Sequence, residues 1–250
     1  MIVLKKAHEI EKMRASGRIV ARCLRCMSEA IVPGKTTPKQ LDAIGARIIA
    51  EAGAVPSFLN YRGYPAATCI SVNEVVIHGI PSEVPLQEGD IVDLDVGVCL
   101  DGWHADAAWT YPVGTISKEA QRLLNVSRES LFQGIAKAKI GNQLGDIGSA
   151  VQKYVEQNGY SVVRDLVGHG IGRSLHDEPH DVPNYGKAGT GLRIKEGLTI
   201  CIEPMVNAGR YEVKTLPDEW TVVTADGSLS AHFEHTIAVT RDGPDILTLE

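Results

Sequence analysis

No stretch of the 250-residue chain is apolar for long enough to span a bilayer. The start does not read as a secretory leader either. Only Ile2, Val3 and Leu4 precede the charges of Lys5 and Lys6, too few for the apolar core of such a signal. Cysteine is scarce and unpatterned: the five residues fall at 23, 26, 69, 99 and 201. An odd, scattered set implies a reducing compartment without a disulfide framework, so a cytoplasmic protein is expected. Cys23 and Cys26 do form a C-x-x-C inside a helical pattern. A zinc or redox role and packing on the helix face are both open, and the lack of a second pair nearby favours packing. Positive charge is not in excess. A formal net charge of −6 argues against general nucleic-acid or anionic-membrane binding.

What is present is ordinary for a globular chain, with 44% hydrophobic and 22% charged residues. A chain of this length buries roughly 70–75% of its unfolded surface, so neither disulfides nor structural zinc are needed to fold it. Ile10, Met13, Gly17, Val20, Leu24, Met27 and Ile31 recur three and four apart, which predicts one face of a long helix ended by Pro33-Gly34. Thr37-Pro38-Lys39-Gln40 then supplies an N-cap, a proline at the first helical position and a capping-box glutamine. The second helix carries Leu41, Ile44, Ile48 and Ala52, and Gly53 stops it.

The same order returns about a hundred residues later, with one helical pattern from about Lys118 to Ile140 and another carrying Leu144, Ile147, Val151 and Val155. The strand run Leu86 to Asp95 lines up without gaps on the run ending at Glu203, placing Glu88-Gly89 on Glu196-Gly197 and Asp95 on Glu203. This pattern predicts a duplicated α+β unit, with helices outside a mostly antiparallel sheet and acids facing a shared cleft. One domain over 1–250 is expected, its halves at about 9–115 and 117–240.

Asp101-Gly102 is a preferred type I′ turn dipeptide between alternating residues. A two-residue loop there pairs Leu100 with Trp103, Val98 with Ala105 and Asp95 with Ala108. Val92, Leu94, Val96 and Val98 would then share an apolar face with Ala105, Ala107, Trp109 and Tyr111. The opposite face carries Asp93, Asp95, His104, Asp106 and Thr110. A solvated outer face is one reading of this pattern. A cation between Asp95 and Asp106 is the other, because side-by-side carboxylates repel. Glu203 before Pro204, Glu234 in a C-terminal strand pattern, and His169 between Gly168 and Gly170 extend the acidic set; the glycines would let backbone crowd a ligand. Four carboxylates and one imidazole suit two divalent ions such as Mn, Fe, Co or Zn.

These segments resemble the type I methionine aminopeptidases, bacterial form, which have a "pita-bread" fold. The likeness runs along essentially the whole chain, through Cys69 to Pro81, Asp95-Val96, Ala105-Asp106, Gly168 to His176, Ile202-Glu203-Pro204-Met205 and Phe233-Glu234-His235-Thr236. The resemblance implies that Asp95, Asp106 and Glu234 hold one metal ion and Asp106, His169, Glu203 and Glu234 the other. It implies a metal-activated hydroxide, Glu203 as proton shuttle, His176 on the scissile carbonyl and His78 on the peptide beyond the cleaved bond. A methionine pocket near Tyr61, Tyr64, Cys69, His78 and Trp220 is also implied, as are nascent polypeptides and N-terminal Met peptides as substrates, transient contact with the ribosome, and a monomer. The preferred substrates would have a small second residue.

Three residues depart from many such enzymes: His232 stands where glutamine is common, and Phe58 and Ile77 where cysteine is. Only about 26 residues separate His176 from Glu203, too few for the insertion of type II enzymes. Rival readings are a proline-directed peptidase of the same fold, which would carry a large extra N-terminal domain, and a non-catalytic binding protein, which would lose metal ligands. A two-metal phosphatase or nuclease would need basic residues that the acidic hairpin does not offer.

Overall fold

The computed structural model describes residues 2–250. Four helices are seen among them: α1 (Ala7–Glu29), α2 (Pro38–Glu51), α3 (Lys118–Ile135) and α4 (Leu144–Gln157). The α1 stripe buries Met13, Val20, Leu24 and Met27, and Cys23 lies in the same buried face as a free thiol. At the start of α2 the capping box forms as the sequence predicts. Gln40 N–H donates to Thr37 Oγ1 at 3.2 Å, and Thr37 N–H donates to Gln40 Oε1 at 3.0 Å. The third helix is shorter than its periodicity predicts. It stops at Ile135, after which Lys137 and Ala138 donate three residues back, to Gly134 and Ile135; these tight turns bury Ala138 and leave both neighbouring lysines exposed.

Every strand ladder is antiparallel, and the strands divide into four sheets. The longest ladder joins Ile91–Leu100 to Trp103–Pro112 in the predicted register, with Leu100 opposite Trp103 and Asp95 opposite Ala108. Asp101 and Gly102 both take positive φ, at 51° and 74°, as a type I′ turn requires. One face of this hairpin, with Val92, Leu94, Val96, Val98, Ala105 and Ala107, packs under α1 and α2. Trp109 leaves that face. Its backbone bridges Phe233, and its ring meets the Phe233 ring edge-on at 4.8 Å, in the second core.

That second core repeats the construction. Thr199–Ile202 pairs with His235–Thr240, Cys201 lying opposite Thr236, and α3 and α4 cover it. The predicted strand through Glu234 is broken. Ser230–His232 belongs to one sheet and His235–Thr240 to another, with Phe233 and Glu234 between them. The two units meet along this break, where Glu234 N–H donates to Ala108 C=O at 2.8 Å. The break thus turns the Glu234 carboxylate toward the acidic face of the first hairpin.

Candidate metal centre

The polar face of the first hairpin is not solvated. Asp93, Asp95, Asp106 and Thr110 are all buried, beneath the second unit. His104 is the exception: it sits at the hairpin's turn end, where its Nδ1 shares a hydrogen bond with Ser57 Oγ at 2.9 Å. A cavity of about 310 Å³ lies between the units. Asp95, Asp106, His169, Glu203 and Glu234 all line it, each between 2% and 7% exposed.

Distances inside the cluster are short. His169 Nε2 lies 3.6 Å from Glu203 Oε1 and 4.0 Å from Asp106 Oδ2. Single donor atoms of Asp106, His169, Cys201 and Glu234 fall within 4.8 Å of one another. Cys201 is a residue that the sequence did not point to. Its thiol touches Thr236 Oγ1 at 3.5 Å, and burial first, then the charge of Glu234, push its pKa well above the ordinary value.

Four carboxylates this close and this dry resist ionisation together. Burial is the largest cause of the raised pKa at each of Asp95, Asp106, Glu203 and Glu234, and mutual repulsion adds to it at Asp95, Glu203 and Glu234. Asp106 is carried to about 7. The imidazoles move the opposite way for the same reason. Burial takes His169 to about 3 and His78 and His176 to about 4, so all three rings are neutral at pH 7.

The fit to metal rests on groups without partners. Asp95 Oδ1, Asp106 Oδ1, Glu203 Oε1 and Glu234 Oε1 are buried and accept no hydrogen bond. An orphaned carboxylate oxygen in a low-dielectric cavity is costly, and four facing one space are what a divalent pair would neutralise. The set of carboxylates plus one neutral imidazole suits hard or borderline cations.

The atoms crowding Gly168 and Gly170 in the structure are backbone atoms of the adjoining strands. A Cβ on Gly168 would come within 2.4 Å of Cys201 O, and one on Gly170 within 2.6 Å of Glu178 C. These glycines let the short Gly168–Gly170 strand fit between two neighbours. That close packing sets the depth of His169, whose Nδ1 shares a hydrogen bond with Gly170 O at 2.9 Å.

The remaining sequence-predicted residues line the same cavity. They are Tyr61, Tyr64, Cys69, His78, His176 and Trp220, together with the departures Phe58 and Ile77. His176 Nδ1 lies 2.8 Å from the Tyr61 hydroxyl, and its ring is 4.2 Å from that of His169. Tyr64 donates to Gly79 O at 2.9 Å and packs edge-on against Trp220, which tethers the loop that carries His78. His78 itself takes a φ of 59°, uncommon for a residue with a side chain and a mark of local strain.

The chain matches Metallopeptidase family M24 over residues 11–241. It is 53% identical to a methionine aminopeptidase of Clostridium perfringens over 249 residues, covering 100% of this chain and 99% of that one. It is 51% identical to methionine aminopeptidase 1 of Bacillus subtilis, over 99% of each. The chain belongs to metallopeptidase family M24. Among solved structures, the crystal structure of methionine aminopeptidase from Rickettsia prowazekii superposes with a TM-score of 0.97 at 46% identity, covering all of both chains.

For an M24 metallopeptidase, divalent metal is the expected occupant of this acidic cluster. The fold is the pita-bread arrangement that the resemblance implied. Sequence reasoning missed several residues around it. Leu166, Val167 and His180 line the cavity, and adjacency to the Gly168-His169 motif is a signal for the first two. Asn184, which donates to Glu203 O at 3.0 Å, gave no local signal, and Thr236, quoted only as the end of the Phe233–Thr236 segment, gave none of its clasp on Asp106.

Proposed function

We propose that this protein is a metal-dependent aminopeptidase that removes N-terminal methionine from peptides, preferring a small second residue. The single observation that carries the reading is the convergence of five buried donors, from four separate chain segments, on one cavity that Phe58, Tyr64, Cys69, Ile77 and Trp220 also line. Support for the substrate comes from the full-length likeness to enzymes named methionine aminopeptidase. Asp95, Asp106 and Glu234 would hold one ion, and Asp106, His169, Glu203 and Glu234 a second, so that four negative charges balance two dications. Cobalt, manganese, iron and zinc all suit these donors.

When bound, such ions supply the Lewis acidity that acidifies water and polarises a carbonyl. The chain's own residues do the rest. Glu203, buried in the cavity wall, can take a proton from water and pass it to the departing amine. With the Tyr61 hydroxyl donating to Nδ1 of the neutral His176 ring, the ring proton sits on Nε2, poised to donate to the scissile carbonyl oxygen. His78, 6.2 Å from the Trp220 ring, faces the peptide beyond the cleaved bond. Tyr64, Cys69, Trp220, Phe58 and Ile77 give a soft, polarisable wall that suits an unbranched thioether.

The catalytic unit is one domain with pseudo-equivalent halves at about 9–115 and 117–240. Nascent polypeptides, met transiently at the ribosome, are the implied substrates of a cytoplasmic monomer; no helix among the described residues is long and apolar enough to cross a membrane. The test is hydrolysis of Met-Gly-type against Xaa-Pro-type peptides by wild type and Asp106→Asn in excess metal. Release of methionine from Met-Gly peptides by wild type alone is expected. Preference for Xaa-Pro peptides, or full turnover by Asp106→Asn, would contradict the proposal.

A further inference from the structure

The five-residue donor set leaves one buried imidazole unexplained. His232 is 2% exposed, with Nδ1 3.3 Å from Asp93 Oδ2 and Nε2 3.8 Å from Glu203 Oε2. That Nε2 is a buried nitrogen with no hydrogen-bond partner. With Nδ1 directed at Asp93, Nε2 is the free nitrogen of the ring and points at a Glu203 oxygen, so a cation placed between the two would find a donor on each side.

His169 is built the same way. Its Nδ1 faces the Gly170 carbonyl at 2.9 Å, and its Nε2 lies 3.6 Å from the other Glu203 oxygen, Oε1. The two rings therefore flank Glu203, one at each oxygen. An oxygen acceptor on one ring nitrogen, fixing the tautomer and leaving the other nitrogen free, is how proteins prepare a histidine for metal. Two donors about 2.0–2.2 Å from one ion lie at most about 4.4 Å apart. Both nitrogen–oxygen separations fall inside that limit.

The internal repeat makes the same assignment independently. Asp93 is the ladder partner of Thr110, and Cys201 is the ladder partner of Thr236. Counting back equally from each threonine, His232 occupies in the second unit the place that Asp106 holds in the first. A donor to the metal cluster thus faces its pseudo-equivalent.

We propose that His232 Nε2 is an additional ligand to the ion held by Glu203 and His169, with Asp93 as the acceptor that fixes its tautomer. This rests on the metallopeptidase reading above and adds a donor to it. The alternative is an imidazolium that bridges Asp93 and Glu203 without touching metal.

The experiment is NMR of the full chain carrying nitrogen-labelled histidine, metal-free and then loaded with an NMR-active cadmium isotope. Two imidazole nitrogens coupled to cadmium are expected in wild type and one in His232→Asn. Cadmium affinity should fall about tenfold or more in His232→Asn, with a smaller loss in Asp93→Asn. One coupled nitrogen in wild type would overturn the proposal and leave the metallopeptidase reading intact. No coupled nitrogen at all would overturn both. The wild-type spectrum needs no variant to fold.

Discussion

Thr236 holds Asp106 by both sides of its backbone: its Oγ1 accepts the Asp106 N–H at 2.9 Å and donates to the Asp106 carbonyl at 2.7 Å. Thr110 does the same to His232, accepting its N–H at 3.0 Å and donating to its carbonyl at 2.8 Å. Each half of the molecule thus fixes the backbone of the other half's donor. Thr236→Val keeps the shape and strands two buried backbone groups, each costing about 1–3 kcal/mol. Stability should fall by about 2 kcal/mol or more, with weaker metal binding although no proposed ligand has changed. Denaturation with and without manganese checks this, and an unchanged metal increment would argue that the clasp does not position Asp106.

Gly168→Ala tests the packing account of the glycine-flanked histidine. The new Cβ would meet the Cys201 carbonyl at 2.4 Å, so backbone must move. We expect lost stability of about 1–3 kcal/mol and a displaced His169, seen as weaker metal binding by calorimetry. Wild-type affinity in this variant would show that the strand's depth does not set the site.

Tyr61→Phe keeps a ring beside His176 but removes the hydroxyl 2.8 Å from its Nδ1. The imidazole can then put its proton on either nitrogen, and the donor to the substrate carbonyl is present only part of the time. A fall in kcat of about two- to tenfold with little change in KM is expected from steady-state kinetics on a Met-Gly peptide. A change confined to KM would assign Tyr61 to the pocket wall instead.

Stability of the chelated protein should depend on pH with a definite sign. The cluster carboxylates bind protons more tightly folded than unfolded, Asp106 up to about 7 against an unfolded carboxylate near 4. The folded state therefore holds the extra protons, and stability falls as pH rises through the folded values. His169, His78 and His176 oppose this below about 6.5, because they bind protons less tightly when folded. The clean window opens above about pH 6.5, where the folded cluster acids still hold protons that the unfolded carboxylates have lost. There Tm of the chelated protein should drop, and excess manganese should remove the drop. A flat profile would mean that the acids do not share a dry cavity.

How legible this was depended on how local each cause is. Thr37 and Gln40, or Asp101 and Gly102, decide their structure within a few residues, so the α2 cap and the hairpin register follow from the sequence. The hairpin register alone makes Asp95 and Asp106 diagonal neighbours. Trp109 could not be placed this way, because its partner Phe233 is remote in sequence and draws the ring out of its alternating face. The break at Phe233-Glu234 was hidden for the same reason: an unbroken β pattern does not reveal that two sheets claim its ends. Gly168 and Gly170 announced close approach, but not whether ligand or backbone approaches. Cys201, Asn184 and Thr236 have their roles only through contacts across the repeat.

Crystals grown in manganese, measured at an energy where manganese scatters anomalously, test the central claim most directly. Two peaks roughly 3.5–4 Å apart are expected among Asp95, Asp106, His169, Glu203 and Glu234. No peak there, or ions held only elsewhere on the molecule, would contradict the account.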